Sequence, residues 1–176
     1  GPMIALLGRL QARVLDEGYE GFQPSNLEVT TVDVGNPATN LIPARATARV
    51  NIRFNPAHTG ADLAAWFAAE AQAAGEGFAG TVSVDSQISG EAFLTREGPF
   101  TALVSEAVQA ATGRTPDLST TGGTSDARFI RALCPVVELG LVGATMHAVD
   151  ERVSTAEVRA LAQVYRTLIE RYFEAV

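Results

Sequence analysis

The sequence predicts an α/β fold: a split βαβ layer of the ferredoxin-like kind in its first half, followed by part of a parallel α/β sheet. Three observations carry this expectation. Over residues 3–88 the apolar spacing switches between helical and alternating periods in the order helix, strand, strand, helix, strand. The run Pro135-Val-Val-Glu-Leu-Gly-Leu-Val142 is apolar with almost no alternation, the pattern of a strand buried on both faces. With 176 residues, 47% of them hydrophobic and 19% charged, the chain can bury a core in one or two small domains.

Taken in order, Gly1-Pro2 before Met3 reads as a scar of tag removal and is set apart from the pattern. Met3, Leu6, Leu7, Leu10 and Val14 recur at helical spacing up to Gly18, which predicts an amphipathic helix over 3–17. Residues 26–34 and 45–54 are β-branched runs bounded by Pro24 and by the turn cluster Gly35-Asn36-Pro37, so they are expected to pair as antiparallel neighbours. In the second run Ala48, Val50, Ile52 and Phe54 alternate with Arg45, Thr47, Arg49, Asn51 and Arg53, which puts three arginines on one polar face. Thr59 with Asp62 three residues on is an N-terminal signal for a helix carrying Leu63, Trp66, Phe67 and Ala74, closed by Gly75. Val82, Val84 and Ile88 then alternate as a third strand over 81–88. One further strand ahead of Met3 would complete the layer.

Beyond Ser89-Gly90 the pattern changes. Pro99 opens a helix with Phe100, Leu103, Val104, Ala107, Val108 and Ala111, and Gly113 ends it. A short strand over 117–121 and a short helix over 125–133 precede the buried-type strand. The last helix starts at the capping box Ser154-x-x-Glu157 and carries Val158, Leu161, Tyr165, Leu168 and Tyr172. Strand, helix and strand with flanking helices imply a parallel sheet, but two strands are too few to form one alone.

Composition excludes several classes. The formal charge of −7, with both signs interspersed, leaves no footprint for nucleic acid and no polybasic patch for a membrane. The apolar stretches are too short for a membrane span. The single cysteine, Cys134, cannot form an internal disulfide, which fits a reducing cytoplasm, and its plain reading is a small buried hydrophobe.

Chemistry concentrates at loops. His147 lies in Ala144-Thr-Met-His-Ala-Val-Asp-Glu151 just after the apolar run, where an α/β enzyme places a metal ligand at a sheet edge. It reads equally as a general base or a surface histidine. Asp150 and Glu151 either orient an imidazole or are solvated. Gly122-Gly-Thr-Ser-Asp126 stands before a helix, so its backbone N–H groups, Gly123 among them, and the Thr124 hydroxyl suit an anion cradle, while the plain reading is an N-cap with Ser125 or Asp126 satisfying the first amides; it has neither P-loop nor dinucleotide spacing. His58, in a turn, reads as structural or solvent-facing. Arg45, Arg49 and Arg53 stand about 13 Å apart along a strand and cannot share one small ligand. Of these, Arg53 is nearest a strand end; Asn40 is a loop amide with turn chemistry as its plain reading.

Five segments go further: Asn26 to Pro43, Asn51 to Asn55, Ser89 to Thr95, Gly122 to Ile130 and Cys134 to Val153. In order, they closely resemble the bacterial succinyl-diaminopimelate desuccinylases, a family of dizinc amidohydrolases, more closely than the related acetylornithine deacetylases or carboxypeptidases. The resemblance implies a catalytic domain with an inserted lid that forms a homodimer, acting on a small succinylated diamino acid in lysine and diaminopimelate biosynthesis. By it, residues 3–90 are most of the lid and 91–176 the C-terminal part of the catalytic domain. His147 is then a ligand of one of two zinc ions, Gly123 and Thr124 touch the substrate, and Arg53 and Asn40 are lid residues that bind it on closure. The family's other zinc ligands, its glutamate general base and its lid histidine belong to sequence before Met3, so no catalytic base is expected here. Gly143 stands where some members carry a polar side chain.

Two hypotheses follow. The chain is a fragment of such a hydrolase, inactive and without tightly held zinc when alone, or it is a non-catalytic dimerisation module derived from the same family. A stand-alone anion-binding protein using residues 122–126 ranks below both.

Overall fold

The computed structural model describes residues 1–122 and 125–174. The elements run α1 (Pro2–Ala12), β1 (Asn26–Asp33), β2 (Thr47–Arg53), α2 (Gly60–Gly75), α3 (Pro99–Thr112), α4 (Ala127–Ile130) and α5 (Thr155–Glu174), a mixed α/β fold. The chain divides into two units, Gly1–Phe93 and Leu94–Val176. No helix among the described residues is long and apolar enough to cross a membrane.

In the first unit β1 and β2 form an antiparallel ribbon from Asn26↔Arg53 at one end to Asp33↔Thr47 at the other. The register slips between Val29 and Thr31, so Thr30 bulges, its hydroxyl donating to the Arg49 carbonyl at 3.3 Å. Before the bulge Leu27 and Val29 alternate inward; after it β1 is exposed at every position. A bulge adds a residue to one strand and turns the rest of it away from the face it was covering. The covered face packs on α1 and α2, where Leu6, Leu10 and Ala71 form the buried centre with Leu27, Val50, Trp66 and Phe67 around it. Arg9 Nε donates to Glu70 at 2.8 Å and the Arg13 guanidinium stacks 4.5 Å from the Trp66 ring, clasping the two helices.

The helix predicted over 3–17 ends at Ala12, with Arg13 extended. Its last predicted turn is instead a loop that Asp16 organises. The start of α2 follows its signal: Thr59 Oγ1 accepts from the Asp62 amide at 3.1 Å and donates to the Asp62 carboxylate at 2.7 Å. Glu91 adds a second cap, accepting the Gly60 amide at 3.1 Å. Gly60 must lack a Cβ, which would meet Ile88 Cγ2 at 2.6 Å.

The alternating segment 81–88 pairs with no strand among the described residues. Val82 and Val84 nonetheless pack against the core, so the alternation reports a covered face and not a ladder. The same correction applies to 117–121 and 135–142, which carry no ladder hydrogen bonds among the described residues. A two-face-buried strand exists only where neighbours supply backbone partners on both sides, and two such segments do not. Residues 135–142 are held otherwise: Thr95 Oγ1 donates to the Val136 carbonyl at 2.6 Å and the Tyr165 hydroxyl to the Leu139 carbonyl at 2.5 Å.

The second unit is centred on α3 against α5, with Ala107, Val108 and Val164 buried and Ala111, Leu139 and Leu168 beside them. Pro99 opens α3 and Gly113 closes it at φ 71°, a left-handed cap that glycine adopts without a Cβ penalty. The inward stripe of α5 runs through Leu161, Val164 and Leu168, leaving Val158, Tyr165 and Tyr172 on its exposed margin. Ser154 accepts the Ala156 amide at 3.2 Å. The helix expected over 125–133 is the four-residue α4, and Cys134 beyond it is exposed, contrary to the buried reading. Among the described residues no ladder forms around 135–142, so no sheet closes over the thiol there.

Candidate functional site

In the second unit the chain leaves Val142 and makes a tight loop around His147. The Met146 amide donates to the Gly143 carbonyl at 3.1 Å and the Ala148 amide to the Thr145 carbonyl at 3.0 Å. Thr145 closes the loop from both directions: its hydroxyl donates to the Arg152 carbonyl at 2.7 Å and accepts the Arg152 amide at 3.0 Å. Between these anchors His147 (φ 62°) and Asp150 (φ 59°) are the non-glycine residues with positive φ among those described. Histidine and aspartate tolerate this region better than most residues, and its small cost is met by the anchors. The result is an exposed His147 whose amide faces Glu151 Oε2 at 3.4 Å. Glu151 therefore supports the loop backbone, while Asp150 lends its carbonyl to Arg152 at 3.3 Å.

Gly123 and Thr124 lie outside the described residues. Beside them Ser125 donates to Glu138 and accepts the Ala127 amide at 3.0 Å from the position before Asp126, the N-cap of α4, whose own side chain makes no capping hydrogen bond.

In the first unit Arg53 is the last residue of β2, paired with Asn26 on the ribbon's polar face. Arg45, Arg49 and Arg53 are all exposed, as the alternation predicts. Among the described residues nothing pairs with the Arg53 guanidinium. Asn40 sits in the exposed connection between the strands, a connection shaped by Asn36, whose amide donates to the Leu41 carbonyl at 2.8 Å and whose oxygen accepts the Ala38 amide at 3.2 Å. This connection leaves from the Asp33↔Thr47 end of the ribbon, whereas Arg53 stands at the other end, about 20 Å away along the strand.

What sequence reasoning missed in this unit is a partly buried polar cluster. Asp16 accepts from the Gly18 amide at 2.8 Å, the Ser25 amide at 3.2 Å and Asn55 Nδ2 at 2.7 Å, and its other oxygen lies 3.0 Å from His58 Nε2. Burial pushes Asp16 upward, yet hydrogen bonds from Ser25, Gly18 and Asn55 outweigh it and hold the carboxyl well below the usual aspartate range. An ionised carboxylate only accepts, so His58 Nε2 is the donor. The structural reading of His58 therefore holds. The available signals were Asp16-x-Gly18, an Asx-turn pattern, and Asn55-Pro56, a turn start.

A zinc site closed by this chain would need three or four ligands. Among the described residues no three histidine, cysteine, aspartate or glutamate side chains gather at ligating distance. The described residues thus do not fit a complete zinc centre, and His147 offers one imidazole.

Residues 3–171 match the model of peptidase family M20/M25/M40. The chain is 68% identical over 173 residues, 98% of its length, to a succinyl-diaminopimelate desuccinylase of Caulobacter sp. (strain K31), of which it covers 45%. It is 67% identical over 98% of its length to the protein of that name from Caulobacter vibrioides (strain NA1000 / CB15N), again covering 45%. A third, from Phenylobacterium zucineum (strain HLK1), is 66% identical over 97% of the chain and 45% of the relative. The chain thus spans a little under half the length of these relatives.

Proposed function

The chain belongs to peptidase family M20/M25/M40, and from that premise we propose that it is part of a zinc-dependent amide hydrolase that splits N-succinyl-LL-2,6-diaminopimelate into succinate and LL-2,6-diaminopimelate. This is a step of diaminopimelate and lysine biosynthesis. One observation carries the reading: nearly the whole chain aligns, at 68% identity, with a protein bearing that activity's name. In this reading residues 3–90 are a lid that closes on substrate and forms a homodimer, and 91–176 are the C-terminal segment of the catalytic domain. The reaction belongs in the cytoplasm, where a lone exposed thiol such as Cys134 stays reduced.

The site residues take roles their surroundings support. Arg53 binds a substrate carboxylate: it is exposed on a polar strand face, its fork matches a carboxylate bidentately, and an acidic protein needs such a local cation for an anionic substrate. Asn40 offers an amide from an exposed loop, and Gly123 and Thr124 contact substrate beside the metals. His147 supplies one imidazole to the zinc centre from a loop fixed by Thr145 and Arg152. The remaining ligands and the general base come from outside this span, so the chain alone is inactive.

The test is succinate release by the complete protein that carries this span, with the succinylated diamino acid and N-acetylornithine offered in parallel. Preferred turnover of the succinylated substrate, with KM raised by Arg53→Ala, is the expected outcome. Preference for the acetylated substrate would overturn the substrate assignment, and an unchanged kcat/KM in Arg53→Ala would return that residue to a solvated strand face.

A further inference from the structure

Building on the proposed role of Arg53, we propose that the cluster of Asp16, Ser25, Asn55 and His58 is a positioning device, fixing the strand end from which Arg53 reaches a substrate carboxylate. A two-stranded ribbon is marginal by itself and opens first at its ends. Arg53 occupies such an end, since Arg53↔Asn26 is the last rung of the ladder. Immediately past that rung the cluster adds another: the Asn55 amide donates to Ser25 Oγ at 3.0 Å, joining the two strands through a side chain. Ser25 immediately precedes Asn26 and Asn55 lies two residues past Arg53, and both are buried, at 9% and 2% exposure.

Asp16 then ties this extra rung to the rest of the unit. It accepts from the Ser25 amide and from Asn55 Nδ2, while Asn55 Nδ2 also donates to the Gln23 carbonyl at 3.2 Å. His58 reaches Asp16 from the turn that leads into α2, and its own amide donates to the Asn55 carbonyl at 3.1 Å. Three chain segments, the loop after α1, the end of β2 and the approach to α2, therefore meet one residue beyond Phe54. The Arg53 guanidinium has no partner of its own among the described residues, so only its backbone can set where it starts. A long side chain on a frayed strand end would search many positions, and small misplacements of a substrate-binding group cost binding steeply.

A double-mutant cycle in the complete, zinc-loaded protein carrying this span tests the idea, using N-succinyl-LL-2,6-diaminopimelate as the probe. Arg53→Ala is expected to raise KM by roughly 10–100-fold, the loss of a charge-assisted carboxylate contact. Asn55→Ala should raise KM by roughly 5–10-fold with kcat nearly unchanged, and add almost nothing in the Arg53→Ala background, because residues acting through one another are not additive. Ser25→Ala, which removes the hydroxyl that accepts the Asn55 amide and helps hold Asp16 ionised, should give a smaller rise that Arg53→Ala likewise absorbs; it decides the matter if Asn55→Ala does not fold. Equal KM effects of Asn55→Ala or Ser25→Ala with and without Arg53, or a lowered melting temperature with no change in KM, would overturn the positioning role. Arg53→Ala with unchanged KM would instead overturn the underlying assignment of Arg53, a separate result.

Discussion

Removing the Asp16 carboxylate should destabilise the first unit by about 3–6 kcal/mol, and the size follows from what is left behind. Asp16 receives hydrogen bonds from the Gly18 and Ser25 amides, Asn55 Nδ2 and His58 Nε2. In Asp16→Ala the Gly18 amide and the partly exposed His58 ring regain water. The Ser25 amide and Asn55 side chain, in buried residues, do not. Hydrogen bonds to a charged group contribute about 1.5–3 kcal/mol each, and two such losses give the stated range. Trp66 is the single tryptophan of the chain and packs beside the core of this unit, so its fluorescence during urea unfolding reads the right transition. The pH dependence supplies an internal control. The folded pKa of Asp16 is depressed, so its contribution is fully present above the ordinary aspartate range near pH ~4 and is lost as pH falls below it toward the folded value. Wild type should therefore lose about 1.4 kcal/mol per pH unit more than Asp16→Ala below pH ~4. A loss under about 1 kcal/mol at neutral pH, or parallel pH curves for the two proteins, would refute the argument that this carboxylate organises the loop.

Two further outcomes are expected. Leu10→Ala should cost about 3–4 kcal/mol in the same fluorescence assay, since Leu10 is 1% exposed at the centre of the α1–α2 core, whereas Ile4→Ala on the same helix, at 78% exposure, should fall within about 0.5 kcal/mol of wild type; equal effects would show that the core lies elsewhere. This chain purified alone should lose zinc on dialysis against a weak chelator, because one exposed imidazole binds no better than any other. Stoichiometric retention that disappears in His147→Ala would mean the chain assembles a metal site after all.

What the sequence made legible was what is decided within a few residues. The Thr59–Asp62 start of α2 and the Pro99 start and Gly113 end of α3 rest on contacts between near neighbours, and all are found; the antiparallel pair β1–β2, whose partners lie 14 to 27 residues apart, was legible because its two alternating runs are consecutive in the chain. Elements that need distant partners were not legible. Residues 81–88 and 135–142 have the side-chain pattern of strands, but a ladder depends on backbone groups from another segment, and alternation records only which side is covered. In α5 the spacing of three and four was right while the inward face was offset, since Val158, Leu161, Tyr165, Leu168 and Tyr172 share a stripe with the Leu161, Val164 and Leu168 row that packs. Tyrosine can sit at the margin of such a stripe and satisfy its hydroxyl, as Tyr165 does on the Leu139 carbonyl, so amphipathic residues blur where the face is centred.

The candidate site divides along the same line. The exposure of Arg53 follows from alternation in one strand, and the loop at His147 from a short sequence in which histidine and aspartate accept positive φ. The cluster under Arg53 was invisible because its members are far apart in the chain: Asp16 meets Asn55 across 39 residues and His58 across 42. Each of those residues, taken singly, reads as turn chemistry or as the end of a helix. Their meeting changes the meaning of Arg53 itself. A strand-end arginine on a free ribbon is an ordinary solvated cation, whereas one whose strand is anchored two residues further on, at Asn55, by a half-buried and ionised carboxylate, starts from a fixed point. Fixing the backbone beneath a long, otherwise unpaired side chain lowers the entropy that binding a carboxylate must overcome, and that is the physical difference between an arginine on the surface and an arginine in a site.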